Sequence, residues 1–322
     1  MSGPLHDGPV VVTGGAGAIG SALVRTLLAQ GTEVRVVDNF STGRREHLPA
    51  PGGASRLSVH EADLREPSGY ASVFRGASAV WHLAANTDIR RGSADPNVDF
   101  EQGTLATFRV LETVRRESVP WLLFSSSSVV YGRAKVLPTP EDYGPMEPES
   151  LYGAGKVAAE GMCAAYAHSF GVKVHMFRFA NIIGPGMTHG ILHDFFEKLA
   201  RDPTRLEVLG DGRQAKSYLR TEDCVDGMLL GAARSSDPVN VFNLGSHDRL
   251  SAGEIARKVV QAHGGRARIE FTGGERGWTG DVPQQQLAVD RIEKLGWRPK
   301  YTSAGAIDRT IEEMAAARHI GH

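Results

Sequence analysis

A run of β-branched residues that breaks into spaced glycines constrains this chain more than any other feature. Val10, Val11 and Val12 lead through Thr13 to Gly14, Gly17 and Gly20, and Ala22, Leu23 and Leu27 follow at helical spacing. That pattern reads as strand, tight turn, helix. Gly14 permits the sharp turn, Gly17 removes the side chain that would hold a pyrophosphate off the backbone, and Gly20 lets the helix approach the strand. The unpaired amides at the start of the helix then face phosphate groups. A glycine triplet alone is weak evidence, but a second strand, Glu33 to Val37, ends on Asp38 about 18 residues after Gly20. A carboxylate there accepts hydrogen bonds from ribose hydroxyls and repels a 2′-phosphate, which points to NAD rather than NADP unless Arg44 or Arg45 reaches back.

The chain of 322 residues has 41% hydrophobic and 23% charged residues and a net charge of -1. These are the proportions of an ordinary globular protein, and the near-neutral balance predicts neither a nucleic-acid nor a membrane partner. Cys163 and Cys224 form no disulfide framework, and neither they nor the histidines show metal-ligand spacing, so no metal is expected. The N-terminus lacks the basic and apolar blocks of a signal peptide, and no apolar run reaches bilayer length; a cytoplasmic enzyme is expected.

Strand and helix patterns alternate along the first half of the chain. A strand-like LSVHEADL ends on Asp63, which suits either an adenine amino group or a surface cap. Ala79 to Ala85 reads as a buried strand whose small Ala84 and Ala85 leave room for a cofactor or allow tight packing. Asp95-Pro96 opens a helix with Leu105, Phe108 and Leu111 on its apolar face. Trp121 to Phe124 runs into Ser125, Ser126, Ser127 and Ser128, at the strand end where open α/β sheets bind ligands. A loop rich in Pro and Glu then delivers Tyr152 to a helix that includes Lys156, and the strand Val174 to Ala180 ends at Asn181. Beyond Gly184 the alternation breaks, although a further strand, Val241 to Leu244, precedes a helix opened by Ser251 and Glu254 as a capping box. The fold class expected is α/β: a Rossmann-type doubly wound parallel sheet over residues 1–183 that binds NAD. Residues 184–322 form a smaller C-terminal α/β substrate lobe, with some return to the sheet.

Tyr152 and Lys156 stand four apart on one helix face. A phenol, with a reference pKa of about 10, is a poor base at neutral pH. A neighbouring ammonium and the positive end of the helix are expected to lower that value, with Ser127 supplying a hydroxyl to the same substrate oxygen. The three together form a site that takes a proton from an alcohol held against a nicotinamide.

The segments TGGAGAIG, VVDNFSTG, HLAA, SSSSVVYG, Tyr152-x-x-x-Lys156, RFANIIGPG, GDGRQAKSY and GWTGDV resemble the extended short-chain dehydrogenase/reductases, and within them the NAD-dependent nucleotide-sugar epimerases. RFAN, HGILHDF and GDGRQAKSY are similar in form to the archaeal type of UDP-galactose (UDP-glucose) 4-epimerase, and the likeness covers nearly the whole chain. The resemblance implies tightly held, recycled NAD, a UDP-sugar substrate and a homodimer. It implies catalytic roles for Tyr152, Lys156 and Ser127. Cofactor contacts are implied for Gly14, Gly17, Ala18, Ile19, Asp38, Asn39, Ser41, Gly43, Asp63, Leu64, Leu83, Ala84, Ala85 and Ser125, together with Tyr152 and Lys156. Substrate contacts are implied for Ser127, Asn181, Lys216 and Arg276, the last two being also readable as surface charges.

Dehydratases of this kind carry an acid after the active-site hydroxyl, and decarboxylating members carry a Glu there. Here the residues are Ser128 and Val129, which cannot ionise, so oxidation and re-reduction of one carbon is the expected chemistry. The resemblance implies that Tyr152 takes the C4 hydroxyl proton while hydride leaves for NAD, and that the keto sugar turns before hydride returns. Gly103 stands where the family usually has Asn, and Gln285 lies near the position that senses a sugar N-acyl group. UDP-glucose/UDP-galactose is therefore the leading substrate expectation, with a UDP-uronic acid or a nucleoside-linked sugar as the rival. A non-catalytic NAD-binding regulator is disfavoured because both the glycine loop and the Tyr-Lys pair are kept.

Overall fold

The computed structural model describes residues 8–50, 56–86 and 88–318; residues 1–7, read above for the lack of a leader, lie outside them. The elements open with β1 (Val10–Thr13), α1 (Ala18–Ala29), β2 (Val34–Asp38), β3 (Leu57–Glu61) and β4 (Ala79–His82). They continue with α2 (Ile89–Ala94), α3 (Pro96–Asp99), α4 (Ala106–Arg116), β5 (Trp121–Ser127), α5 (Leu151–Phe170) and β6 (Lys173–Phe179). After these come β7 (Asn181–Ile183), α6 (Ile191–Arg201), β8 (Arg205–Val208), β9 (Ala215–Lys216), β10 (Tyr218–Arg220), α7 (Thr221–Arg234) and β11 (Val239–Leu244).

Among the described residues, one sheet of seven strands carries the molecule, in the order β11-β6-β5-β4-β1-β2-β3. Every pairing in it is parallel. A parallel sheet must be covered on both faces, and the strands show it: Val10, Val11 and Val12 are all fully buried although alternate residues point to opposite sides. One face packs on α1 and α7, where Leu23, Leu27, Trp81, Phe177 and Phe242 meet. The other packs on α4 and α5 through Val110, Leu111, Val114 and Cys163. Trp81 and Phe177 stack at 6.4 Å between centroids, a contact of about 0.5–1.5 kcal/mol beyond simple burial.

The strand order reverses between β1 and β4, and a crevice opens at their carboxyl ends. The second lobe closes that crevice. Its core gathers Phe195, Phe196, Leu206 and Ile255 around α6 and the helix Ala252–Ala262, whose capping box of Ser251 and Glu254 is formed. The lobe is tied to the sheet by β11, which pairs with β6 along its whole length, from Val239 opposite Val174 to Leu244 opposite Phe179.

Two expected elements are corrected. The strand Ala79 to Ala85 stops at His82, because Leu83 to Ala85 leave the ladder to pass under Gly14. The helix after Asp95 is not uniform: Phe100–Leu105 form a π-helical stretch between α3 and α4. Its wider turns shift the phase of the residues that follow. The buried face of α4 therefore runs through Thr107, Val110, Leu111 and Val114, while Phe108, expected on the apolar face, is 36% exposed.

Candidate active site

The glycine loop is built by close approach. A Cβ on Gly14 would lie 2.7 Å from the Ala84 backbone nitrogen, and one on Gly20 would lie 2.1 Å from the Gly14 carbonyl oxygen. Gly14 also holds φ at +69°, in the left-handed region. A Cβ on Gly17 would meet only the Gly14 oxygen, at 3.3 Å, so the missing side chain leaves an open cradle. Gly17 caps α1 without a side-chain acceptor, and Ala18, Ile19 and Gly20 line the cavity with their first-turn amides uncapped. Asp38 ties this loop to β2: its Oδ2 accepts from the Ala16 amide at 2.9 Å and its Oδ1 from the Phe40 amide at 2.8 Å. Arg45 lies over the Phe40 ring and pairs with Glu61 at 2.8 Å, turned to a carboxylate partner. A dinucleotide without a 2′-phosphate fits this cradle and its acidic rim.

The cavity, of about 420 Å³, extends from the glycine loop to the second lobe. Its floor holds Ser125, Ser127, Tyr152 and Lys156. The chain reaches this arrangement because β5 ends in the serines while Ser150 caps α5, its side chain accepting from the Gly153 amide. Ser127 hydrogen-bonds the Tyr152 phenol. Lys156 Nζ donates to the Ser125 carbonyl at 2.6 Å and lies 5.7 Å from the Tyr152 ring centre.

The expected acidity of Tyr152 is corrected here. Burial, with a further contribution from Asp99, pushes the phenol up to about 12, and the Ser127 hydrogen bond only partly offsets this. The ammonium that was expected to acidify the phenol is directed instead at the Ser125 carbonyl, and burial lowers Lys156 to about 8.

Behind the floor lies a buried ionic knot. Glu160, one turn beyond Lys156, accepts from Ser126 Oγ and pairs with Arg178 of β6 at 2.6 Å. Arg178 also donates to the Tyr131 hydroxyl and to the Glu141 carbonyl, each at 2.8 Å. This knot joins β5, β6 and α5 directly under the reacting groups.

The other expected residues divide into two groups. Leu83, Ala85 and Asn181 line the cavity, and so does Lys216, which pairs with Asp281 and lies 5.0 Å over the Trp278 ring. Ala84 packs under Gly14 and Gly43 against Ala16, while the Asn39 side chain accepts from the Ser41 amide at 3.1 Å. Asp63 is engaged by Arg65 at 2.8 Å, which holds its carboxyl below the usual range, and the buried Leu64 gives its carbonyl to Tyr70. Arg276 stands outside the cavity lining and pairs with Glu149 at 3.0 Å. At Gly103 an added Cβ would meet nothing within 4 Å, so open space stands where the related enzymes carry an amide.

Several lining residues were not singled out from the sequence. Asn86, Gln214, Trp278 and Asp281 all face the cavity, and the side chains of Gln214, Trp278 and Gln285 each bury a polar atom without a partner there. GWTGDV was visible as a motif, but which of its residues turns inward depends on a loop without periodicity.

The sequence pattern of the NAD dependent epimerase/dehydratase family matches residues 10–245. A UDP-glucose 4-epimerase of Mycolicibacterium smegmatis is 31% identical over 94% of this chain and 97% of its own length. UDP-glucuronic acid decarboxylase 1 of Xenopus tropicalis is also 31% identical, over 94% of this chain and 71% of its own length. A crystal structure of a UDP-galactose 4-epimerase superposes with a TM-score of 0.87 at 41% identity, covering 96% of this chain and 99% of that one.

Proposed function

This chain belongs to the NAD-dependent epimerase/dehydratase family and is an NAD-dependent nucleotide-sugar epimerase; from that premise we propose that it inverts C4 of a UDP-hexose, interconverting UDP-glucose and UDP-galactose. The observation that carries the reading is a single acid–base group on the cavity floor. Tyr152, with Ser127 on its phenol, is flanked at 128 and 129 by side chains that cannot ionise.

NAD, when bound, supplies a hydride acceptor and then a hydride donor. Gly14, Gly17, the first turn of α1 and Asp38 would hold it. Ser127 orients the substrate hydroxyl, and Tyr152 takes its proton and later returns it to the same oxygen. Lys156, anchored on the Ser125 carbonyl, keeps a positive charge beside the phenol. With no second acid or base next to it, the floor is not equipped to eliminate water from a neighbouring carbon.

The charge pattern favours a neutral hexose over a uronic acid. Among the described lining residues, Arg90 pairs with Asp88 and Asp194, Lys198 with Glu207, and Lys216 with Asp281. Lys156 has no carboxylate partner, and it is buried on a backbone carbonyl. An additional sugar carboxylate would have to displace one of these pairs.

Incubation with UDP-glucose, UDP-galactose, UDP-glucuronic acid and UDP-N-acetylglucosamine in D2O, followed by NMR, tests the reading. UDP-glucose and UDP-galactose should interconvert without deuterium entering at C4 and without net release of NADH. Deuterium at the inverted carbon, or turnover of the uronic acid alone, would overturn it. The same reading includes a cytoplasmic homodimer with residues 1–183 as the NAD-binding unit. The exposed Phe100, Phe108, Leu151 and Phe170 around α4 and α5 support the dimer, which light scattering in solution would test. Among the described residues no helix is long and apolar enough to cross a membrane.

A further inference from the structure

One buried carboxyl beside the catalytic helix has no role in the chemistry above. Asp99 ends α3, where the chain enters the π-helical stretch, and it is 3% exposed. Its Oδ1 accepts from Asn86 Nδ2 at 2.8 Å, and its Oδ2 is buried without a partner. The fit is close. A Cβ on Gly92 would lie 1.7 Å from Oδ2, so α2 can only pass here as glycine, and a Cβ on Gly155, between Tyr152 and Lys156 on α5, would meet the Asp99 carbonyl at 3.5 Å. Asn86 is fixed in turn, donating to the Asp88 carbonyl and accepting from the Asp88 amide, and it faces the cavity.

The charged groups on the packed elements are occupied elsewhere. On α2, Arg90 pairs with Asp88 and Asp194, and Arg91 is exposed. In the π-helical stretch Glu101 pairs with Arg65, and on α5 Lys156 is held by the Ser125 carbonyl. Asp99 therefore has no counter-ion, and the titratable group that its charge reaches on α5 is Tyr152.

We propose that Asp99 is a positioning residue that acts through Tyr152: its carboxylate, clamped by Asn86 behind the first turn of α5, strengthens the hold of the phenol on its proton. The effect has a use in a reaction that runs both ways through one tyrosine. A phenolate that binds its proton more strongly is the better base toward an alcohol, and the phenol must then remain intact until the proton is returned. The Asn86 amide adjusts this, because its hydrogen bond favours the charged carboxyl while burial disfavours it. The proposal rests on the reading of Tyr152 as the acid–base group.

Asp99→Asn tests it, being nearly isosteric and leaving an acceptor for Asn86. The acid limb of the kcat/KM profile should move to lower pH by about one unit, as expected when a like charge is removed from beside an ionising group. Onset of tyrosinate absorbance near 295 nm, taken as the difference from Tyr152→Phe, should move the same way in the enzyme without substrate. Should Asp99→Asn fail to fold, Asn86→Ala makes the carboxyl neutral more often and should shift both readouts in the same direction by a smaller amount. An unmoved limb and an unmoved absorbance onset in a folded variant overturn the proposal. If Tyr152→Phe itself keeps its rate and its acid limb, the reading of the base fails instead; if it loses its rate while Asp99→Asn changes nothing, only the role of Asp99 fails.

Discussion

The two walls of the cavity are made in different ways. On the sheet side the polar groups are already committed to backbone: Asp38 to two amides, Lys156 to the Ser125 carbonyl, and the amides of α1 to the open cradle at Gly17. On the side of the second lobe they are committed to one another or to nothing. Lys216 pairs with Asp281, while Gln214, Trp278 and Gln285 keep buried polar atoms unpaired. The first wall holds its geometry whether or not a ligand is present. The second has to exchange partners when a ligand arrives, so its residues set which sugar nucleotide is held more than how fast it reacts.

The largest effect should come from breaking the knot under the first wall. Glu160→Ala leaves the Arg178 guanidinium, 3% exposed, without its counter-ion, and should cost about 3–5 kcal/mol in chemical denaturation. Replacing both partners, as Glu160→Leu with Arg178→Met, should recover most of the loss. A single substitution costing under about 1 kcal/mol would mean that the first wall is not held from behind.

Next is Tyr152→Phe. The ring keeps its place and only the proton acceptor goes, so kcat should fall by a factor of about 100 or more while calorimetric binding of NAD and sugar nucleotide changes little. Near-normal turnover would move the chemistry to another group.

A pH series separates the walls by stability. His82, held between Thr13 and Thr107, is pushed down to about 3 by burial, and His175, packed among Trp121, Phe177 and Phe242, to about 4. Both are neutral in the folded sheet and protonate near pH 6.5 once unfolded. Their contribution is complete above pH 6.5 and is lost as the pH falls from 6.5 toward the folded values, by about 1.4 kcal/mol per pH unit per imidazole. His175→Phe should flatten the fall in unfolding free energy between pH 6.5 and 5; an unchanged slope would count against a neutral His175.

The smallest effect belongs to the second wall. Lys216→Met should raise KM for the sugar nucleotide by about fivefold with kcat within about twofold, since an exchangeable contact binds ground state and transition state alike. An equal loss in kcat would show that this wall takes part in the chemistry.

The same contrast governs what could be read from the sequence. Gly14, Gly17, Gly20, Asp38 and the pair Tyr152 and Lys156 are bound to strand ends and helix starts, so their spacing reports their place. Asp99 and Asn86 were not seen, because a π-helical stretch changes which residue turns inward and no heptad or 3.6-residue pattern announces it. Phe108 was assigned to the wrong face for that reason. In the second lobe Trp278 and Asp281 lie in a loop, where inward and outward residues follow tertiary contacts alone. Arg276 illustrates the reverse: the charge was visible, but its partner Glu149 is 127 positions away in sequence, by subtraction of the two numbers.

The pairing of β11 with β6 has a practical meaning for building hybrid enzymes. Because the chain leaves the sheet after β6 and comes back to it at Val239–Leu244, the lobe that recognises the sugar is carried in two pieces, one on each side of that strand. A cut at residue 183 would strip β6 of its neighbour and expose the row of Val174, Met176 and Phe179 amides and carbonyls to any passing strand. A recombinant that exchanges recognition between relatives should therefore keep β11 with its own sheet and splice twice, before Ile191 and after Leu244. Handled in that way, the two walls become interchangeable parts with a defined seam.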